Sequence, residues 1–117
     1  MLSELAADHV NRRRNSEPLE GQAGYGVSGC PGEGPYVEIW TTLDGNKISR
    51  AAYRTHGCPS SVAASSVLCS VVTGRTVNQA KMLEARDLIS IMGGIPEGKE
   101  RFAAMAVEAL AKALEGS

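Results

Sequence analysis

The stretch YVEIWTTLDGNKISRAAYRTHGC, Tyr36 to Cys58, decides the fold. Val37, Ile39 and Thr41 alternate with Tyr36, Glu38 and Trp40, the two-residue period of a strand with two unlike faces. Asp44-Gly45-Asn46 is a hairpin turn signal, and Lys47 to Thr55 is the return strand. Gly57-Cys58 then closes that strand and opens a run of small residues, Pro59 to Ser70 (PSSVAASSVLCS). Ser60 to Thr73 reads as a helix ended by Gly74, with side chains small enough to lie close against a sheet. A cysteine between a strand end and a helix N-terminus sits where backbone N–H groups point outward and the helix dipole favours an anion. Both effects lower a thiol pKa, so Cys58 is a candidate nucleophile or metal ligand. The competing reading is a buried structural cysteine.

Toward the C-terminus, Thr76 to Met82 reads as a short helix capped by Thr76, and Glu84 to Met92 as another, stopped by Gly93-Gly94. Pro96-Glu97-Gly98 leads into a last helix, Lys99 to Leu114, with an apolar stripe of Phe102, Met105, Ala106, Ala109, Leu110 and Ala113. Toward the N-terminus, Ser28 to Pro35 (SGCPGEGP) holds three Gly and two Pro; it excludes a regular element but lets a backbone wrap closely around a ligand. Asn15 to Gly26 reads as a crossing segment with at most a short strand. Met1 to Arg14 forms an amphipathic helix, with Leu2, Leu5, Ala6 and Val10 on one face and Ser3 as cap. Strands precede helices, which points to α+β: an antiparallel sheet covered by helices on one face.

A chain of 117 residues is read as one domain, 1–117. A formal net charge of −1, with 21% charged residues, argues against wholesale binding to nucleic acid or anionic lipid. The Arg12-Arg13-Arg14 run reads as a solvated helix end. No apolar run reaches the length of a membrane span and Met1 to Arg14 lacks a signal-peptide core, so a cytoplasmic protein is expected. Three cysteines without a secretory signal argue against a disulfide framework, leaving metal chemistry, sulfur chemistry or burial. Cys69 shares a helix face with Val62, Ser65 and Ser66 and reads as a small core residue. A conventional enzyme is not expected: there is no phosphate loop in strand–helix context, no Ser/His/Asp spacing and no carboxylate pair.

Several motifs in this order resemble the IscU/NifU-type iron–sulfur cluster scaffold family. They are Asp8-His9 with Asn11-Arg12-Arg13-Arg14-Asn15, Arg54-Thr55-His56-Gly57-Cys58, the small-residue run Ser60 to Ser66, Gly74-Arg75-Thr76-Val77-Asn78-Gln79-Ala80, and Gly94-Ile95-Pro96-Glu97-Gly98-Lys99. The resemblance covers nearly the whole chain. It implies a small three-stranded antiparallel sheet covered by helices, the SufE/NifU-like fold, and a role in iron–sulfur cluster assembly. The family places three cysteines and one carboxylate around a cluster or a zinc ion. Its central cysteine matches Cys58. Its first loop is matched by Gly29-Cys30-Pro31-Gly32-Glu33, where the cysteine precedes the proline and Glu33 stands near the family's Asp. Its His-Cys pair falls on Phe102-Ala103, neither of which binds a metal.

The resemblance therefore implies Cys30 and Cys58 as cluster ligands, with Cys58 or Cys30 as persulfide acceptor and Cys58 as the candidate catalytic residue. Glu33 and His56 complete the metal-donor set, His56 only if its ring turns inward; otherwise it is a polar replacement for Tyr. His9 reads as a surface histidine. Clusters want thiolates, usually four, and a zinc site wants four N, S or O donors, so this set is short of a tight site. Three functions follow. The first is a scaffold-like protein, served by a cysteine desulfurase and working with a chaperone or recipient apo-protein, that accepts sulfur or binds iron or a labile cluster. The second is a non-catalytic binding or regulatory module of the same fold that binds assembly partners without a cluster. The third is a zinc-binding sulfur-transfer protein. The cofactor is accordingly an iron–sulfur cluster, zinc or none.

Overall fold

The computed structural model describes residues 24–30, 32, 34–57 and 59–115. The helix expected over Met1 to Arg14, with His9, lies outside them, as do Glu33 and Cys58. Strand β1 (Gly24–Gly29), β2 (Tyr36–Asp44) and β3 (Lys47–His56) form an antiparallel sheet in the order β1-β2-β3. Helices α1 (Pro59–Val72), α2 (Val77–Lys81), α3 (Ala85–Ile91) and α4 (Glu100–Ala113) follow. The α+β reading and the three-stranded sheet hold.

The hairpin forms as its sequence dictates. Asp44 pairs with Lys47 across Gly45-Asn46, and Gly45 takes φ +64°. The register then shifts between Thr42 and Leu43, because Ser49 is an extra residue on β3. Its hydroxyl is tied to Thr42, 2.9 Å from Oγ1 and 3.1 Å from the carbonyl oxygen it donates to. The bulge lets Ile48 join Ala51 and Tyr53 on the buried face, which they share with Val37, Ile39 and Thr41 of β2.

One expectation is corrected. Ser28 and Gly29, read as loop, belong to β1, whose six residues pair in unbroken register with Tyr36 to Thr41. The inner face of β1 is Gly24, Gly26 and Ser28, and α4 lies directly on it. A side-chain carbon on Gly26 would collide with the Ala109 carbonyl oxygen and come within 2.7 Å of Lys112 Cβ. Glycine here permits close packing of helix on strand rather than breaking the strand. Lys112 seals the contact, its Nζ donating to the Val27 carbonyl at 3.0 Å.

Helix α1 is buried through Ser60, Ser61, Ser65 and Ser66 as well as Ala63, Ala64, Val67, Leu68 and Cys69, so small side chains seat it in the core between the sheet and α4. Thr76 caps α2 as expected: Gln79 N donates to Thr76 Oγ1 at 3.1 Å and Thr76 N to Gln79 Oε1 at 3.0 Å. The stripe of α4 is buried at Phe102, Ala106, Ala109, Leu110 and Ala113, with Met105 half-buried. No helix among the described residues is long and apolar enough to cross a membrane.

Candidate functional site

Register gathers the cysteine-bearing segments at one end of the sheet. Gly29 pairs with Tyr36, and Tyr36 with His56. Neighbouring strands lie about 4.8 Å apart, so Gly29 and His56 end their strands about 10 Å apart. Cys30 follows the first and Gly57-Cys58 the second. Gly29 has φ +87°, and a side-chain carbon there would collide with the Pro35 carbonyl oxygen and meet Tyr36 Cα at 2.9 Å. Only glycine makes that turn, which delivers Cys30 to solvent with an exposed thiol.

Beside it, Gly32, Gly34, Tyr36 and His56 line an open cleft of about 290 Å³. The His56 ring stacks on Tyr36, with centroids 6.2 Å apart and planes at 17°. It belongs to the outer face of the sheet, away from the helices, because Tyr36 and His56 are paired residues of that face. The junction of β3 with α1 is fastened from within: Thr55 Oγ1 donates to the Tyr36 carbonyl at 2.6 Å and shares a hydrogen bond with Ser61 Oγ.

Helix α4 reaches the same junction through Phe102. A carbon added to Gly57 would lie 3.3 Å from Phe102 Cε1 and 3.2 Å from Ser61 Cβ. Phe102 is 2% exposed, whereas Ala103 is turned into the core. Successive helical residues point about 100° apart, so one of the two faces Gly57, and it is the phenyl ring. Arg101 Cζ stands 4.8 Å and Lys99 Nζ 5.9 Å from the ring centroid, so two cations flank this end.

Cys69 is fully buried among Ala64, Val67 and Leu68, and burial pushes its thiol pKa up, so the thiol stays protonated and inert. Among the described residues no three of His, Cys, Asp and Glu gather as a metal site. The two remaining donors of the expected set, Glu33 and Cys58, lie outside the described residues.

A polar cluster on the outer face had no counterpart in the sequence reading. Glu38 is 6% exposed although its face looks away from the helices. Tyr25 OH donates to Glu38 Oε2 at 2.6 Å and Arg54 Nε to Oε1 at 3.0 Å. Tyr25 also packs on Trp40, with centroids 5.3 Å apart, and the Arg54 guanidinium lies 5.6 Å from the Trp40 centroid. The hydrogen bond to Glu38, then burial and the carboxylate charge, push the Tyr25 pKa up to about 12.

Comparison with known proteins bears on this geometry. The model of the family described as NifU-like N terminal domain matches residues 2–116. The chain is 28% identical over 114 residues to iron–sulfur cluster assembly scaffold protein IscU 1 of Archaeoglobus fulgidus, covering 97% of this chain and 74% of that protein. It is 30% identical over 115 residues to the IscU scaffold protein of Aquifex aeolicus, covering 97% and 73%. Among solved structures it is similar to a proposed iron–sulfur cluster assembly scaffold for the SUF system from Fervidobacterium islandicum AW-1. The TM-score is 0.75 at 19% identity, covering 97% of this chain and 96% of that one, a likeness of fold alone.

Proposed function

Because the chain belongs to the NifU-like N-terminal domain family, we propose that it is an iron–sulfur cluster assembly scaffold whose thiolate donors are Cys30 and Cys58. The observation that carries this reading is the match over residues 2–116, together with relatives named as IscU scaffolds that share nearly the whole chain. In this reading residues 1–117 work as one domain, in the cytoplasm, where thiols stay reduced. The cluster is cargo rather than a resident cofactor. A cysteine desulfurase supplies sulfur, and a recipient apo-protein, with or without a chaperone, takes the product. The chain itself is not a conventional enzyme.

The chemistry follows from the ends of β1 and β3. Cys58 follows Gly57 and precedes the first residue of α1. As a thiolate it attacks the terminal sulfur of a persulfide on the desulfurase. The S–S bond breaks, the desulfurase cysteine leaves as thiolate, and Cys58 carries the sulfane sulfur. An external two-electron donor then reduces that sulfur to sulfide beside bound iron. Lys99 and Arg101 favour the negative charge of a thiolate-ligated cluster at this end. Glu33 is an additional oxygen donor in this reading, and His56 a nitrogen donor once its ring leaves the Tyr36 stack.

The test is sulfur acceptance. Incubated anaerobically with a cysteine desulfurase and cysteine, the chain gains a persulfide label, which Cys58→Ser abolishes and Cys69→Ser leaves intact. Equal labelling of Cys58→Ser would exclude Cys58 as acceptor.

One observation favours a second reading. Phe102 occupies the α4 position that faces Gly57 with an apolar ring. A binding module that keeps the fold and partner surfaces without a cluster has no need of a donor there. It predicts desulfurase binding that is indifferent to replacement of both Cys30 and Cys58.

A further inference from the structure

A second cleft lies where α1 ends against α2 and α3. From it we infer that this face docks a segment of a partner polypeptide that presents an apolar side chain with a carboxylate beside it. Val71, Val72, Ala80, Leu83 and Ile91 are the apolar walls of the cleft, whose volume is about 150 Å³. A cavity of that size accepts one benzene-sized group, so a leucine side chain fits. The walls are not closed over: Ile91 is 42% exposed, and Met82, next to Leu83, is 79% exposed. The cleft is tied to the start of β3, where Gly74 N donates to the Ile48 carbonyl at 2.7 Å and Ile48 N to the Arg75 carbonyl at 2.8 Å. His56 ends that strand eight residues further on, about 25 Å away at the usual strand rise. Docking here leaves the cysteine end of the sheet open and needs no cluster.

The two polar side chains of the cleft, Arg75 and Gln79, set the charge of its occupant. Arg75 Nε donates to the Val71 carbonyl at 2.9 Å, and Gln79 Oε1 accepts from Thr76 N at 3.0 Å. What remains on both is donors alone: the two terminal nitrogens of Arg75 and the amide nitrogen of Gln79. Among the described residues Arg75 has no carboxylate partner. The carboxylates that follow Leu83 are engaged at the start of α3. Glu84 pairs with Arg86 at 2.7 Å, and Asp87 accepts from Glu84 N at 3.0 Å. A donor-only rim beside apolar walls suits a carboxylate, which accepts two parallel bonds from a guanidinium. A second copy of this chain does not meet that demand, because a two-fold axis through the cleft would bring two Arg75 guanidinium groups together. A free small acid would leave Ile91 and Met82 uncovered, whereas a polypeptide continues across them.

The experiment is a titration of the isotope-labelled full chain, read by its backbone amide shifts. The probe is the capped peptide acetyl-Gly-Leu-Asp-Gly-amide, compared with the same peptide carrying Asn for Asp or Ala for Leu. The expected shifts saturate and centre on Val72, Gln79, Ala80, Leu83 and Ile91. The Asn and Ala peptides should each bind about fivefold more weakly, the size of one partly exposed charge pair or one shallow apolar seat. Arg75→Gln should bind the Asp and Asn peptides equally, and Ile91→Glu should lose both. If Arg75→Gln does not fold, the comparison of Asp with Asn on the parent chain reads the same contact. The docking site is overturned by the absence of saturable shifts at these residues, by shifts gathered elsewhere, or by equal binding of the Asp and Asn peptides to the parent chain. Isocaproate binding as tightly as the peptide would overturn the polypeptide in favour of a small acid. Slower tumbling of the free chain on concentration, with shifts at the same residues, would overturn it in favour of a second copy.

Discussion

Glu38 shows what a single residue does for this sheet. From β2 it accepts from Tyr25 on β1 and from Arg54 on β3, so one carboxylate links all three strands across the outer face. Hydrogen bonds to a charged group contribute about 1.5–3 kcal/mol each, and Arg54 is half exposed and regains water when released. Glu38→Ala should therefore lower stability by about 2 kcal/mol, read as a lower urea midpoint; an unchanged midpoint would show the cluster to be ornamental. Tyr25 adds a pH dependence. Its folded pKa, about 12, lies above the ordinary 10.0, so the folded state holds the phenol proton more tightly. That stabilisation is complete below pH 10 and is lost as pH rises toward 12. Tyr25→Phe should flatten the alkaline limb of the stability profile; a profile identical to that of the parent would contradict the linkage. None of this was legible in the sequence. A two-residue turn that pairs Asp44 with Lys47 would set Glu38 opposite Tyr53; only the extra residue Ser49 brings Arg54 into line.

At the scale of elements, the hairpin, the cap of α2 and the stripe of α4 were legible because each rests on a local rule of spacing or turn chemistry. β1 was not. Its inner residues are Gly24, Gly26 and Ser28, which carry no strand propensity, and their reason lies in α4, far along the chain. Gly26→Ala tests this directly. Overpacking costs about 1–3 kcal/mol, and the carbon would meet backbone atoms of α4 rather than a flexible side-chain end. Thermal unfolding should shift down accordingly, while Val27→Ala, on the outward face of the same strand, should cost less. Equal effects would contradict the close seating of α4 on β1.

For the whole molecule, the sequence singled out two candidate cysteines by their surroundings: a glycine-rich loop for Cys30, a strand–helix junction for Cys58. That their segments leave one end of the sheet follows from register, which needed both the bulge and β1. Phe102 was legible only as a missing donor; that its ring comes so close to Gly57 that an added side-chain carbon would meet it at 3.3 Å is a product of how α4 crosses the core. In the proposed function this fold, with Cys30 and Cys58 as its available thiolates, carries a cluster. The most direct measurement is the visible spectrum, with iron and zinc content, of the full chain after anaerobic supply of iron and sulfide and desalting. A cluster-bearing scaffold gives sulfide-to-iron absorption that survives desalting and disappears in Cys58→Ser. A colourless, metal-free chain would contradict it and leave the binding module in front; a colourless chain with one zinc would contradict it in favour of sulfur transfer.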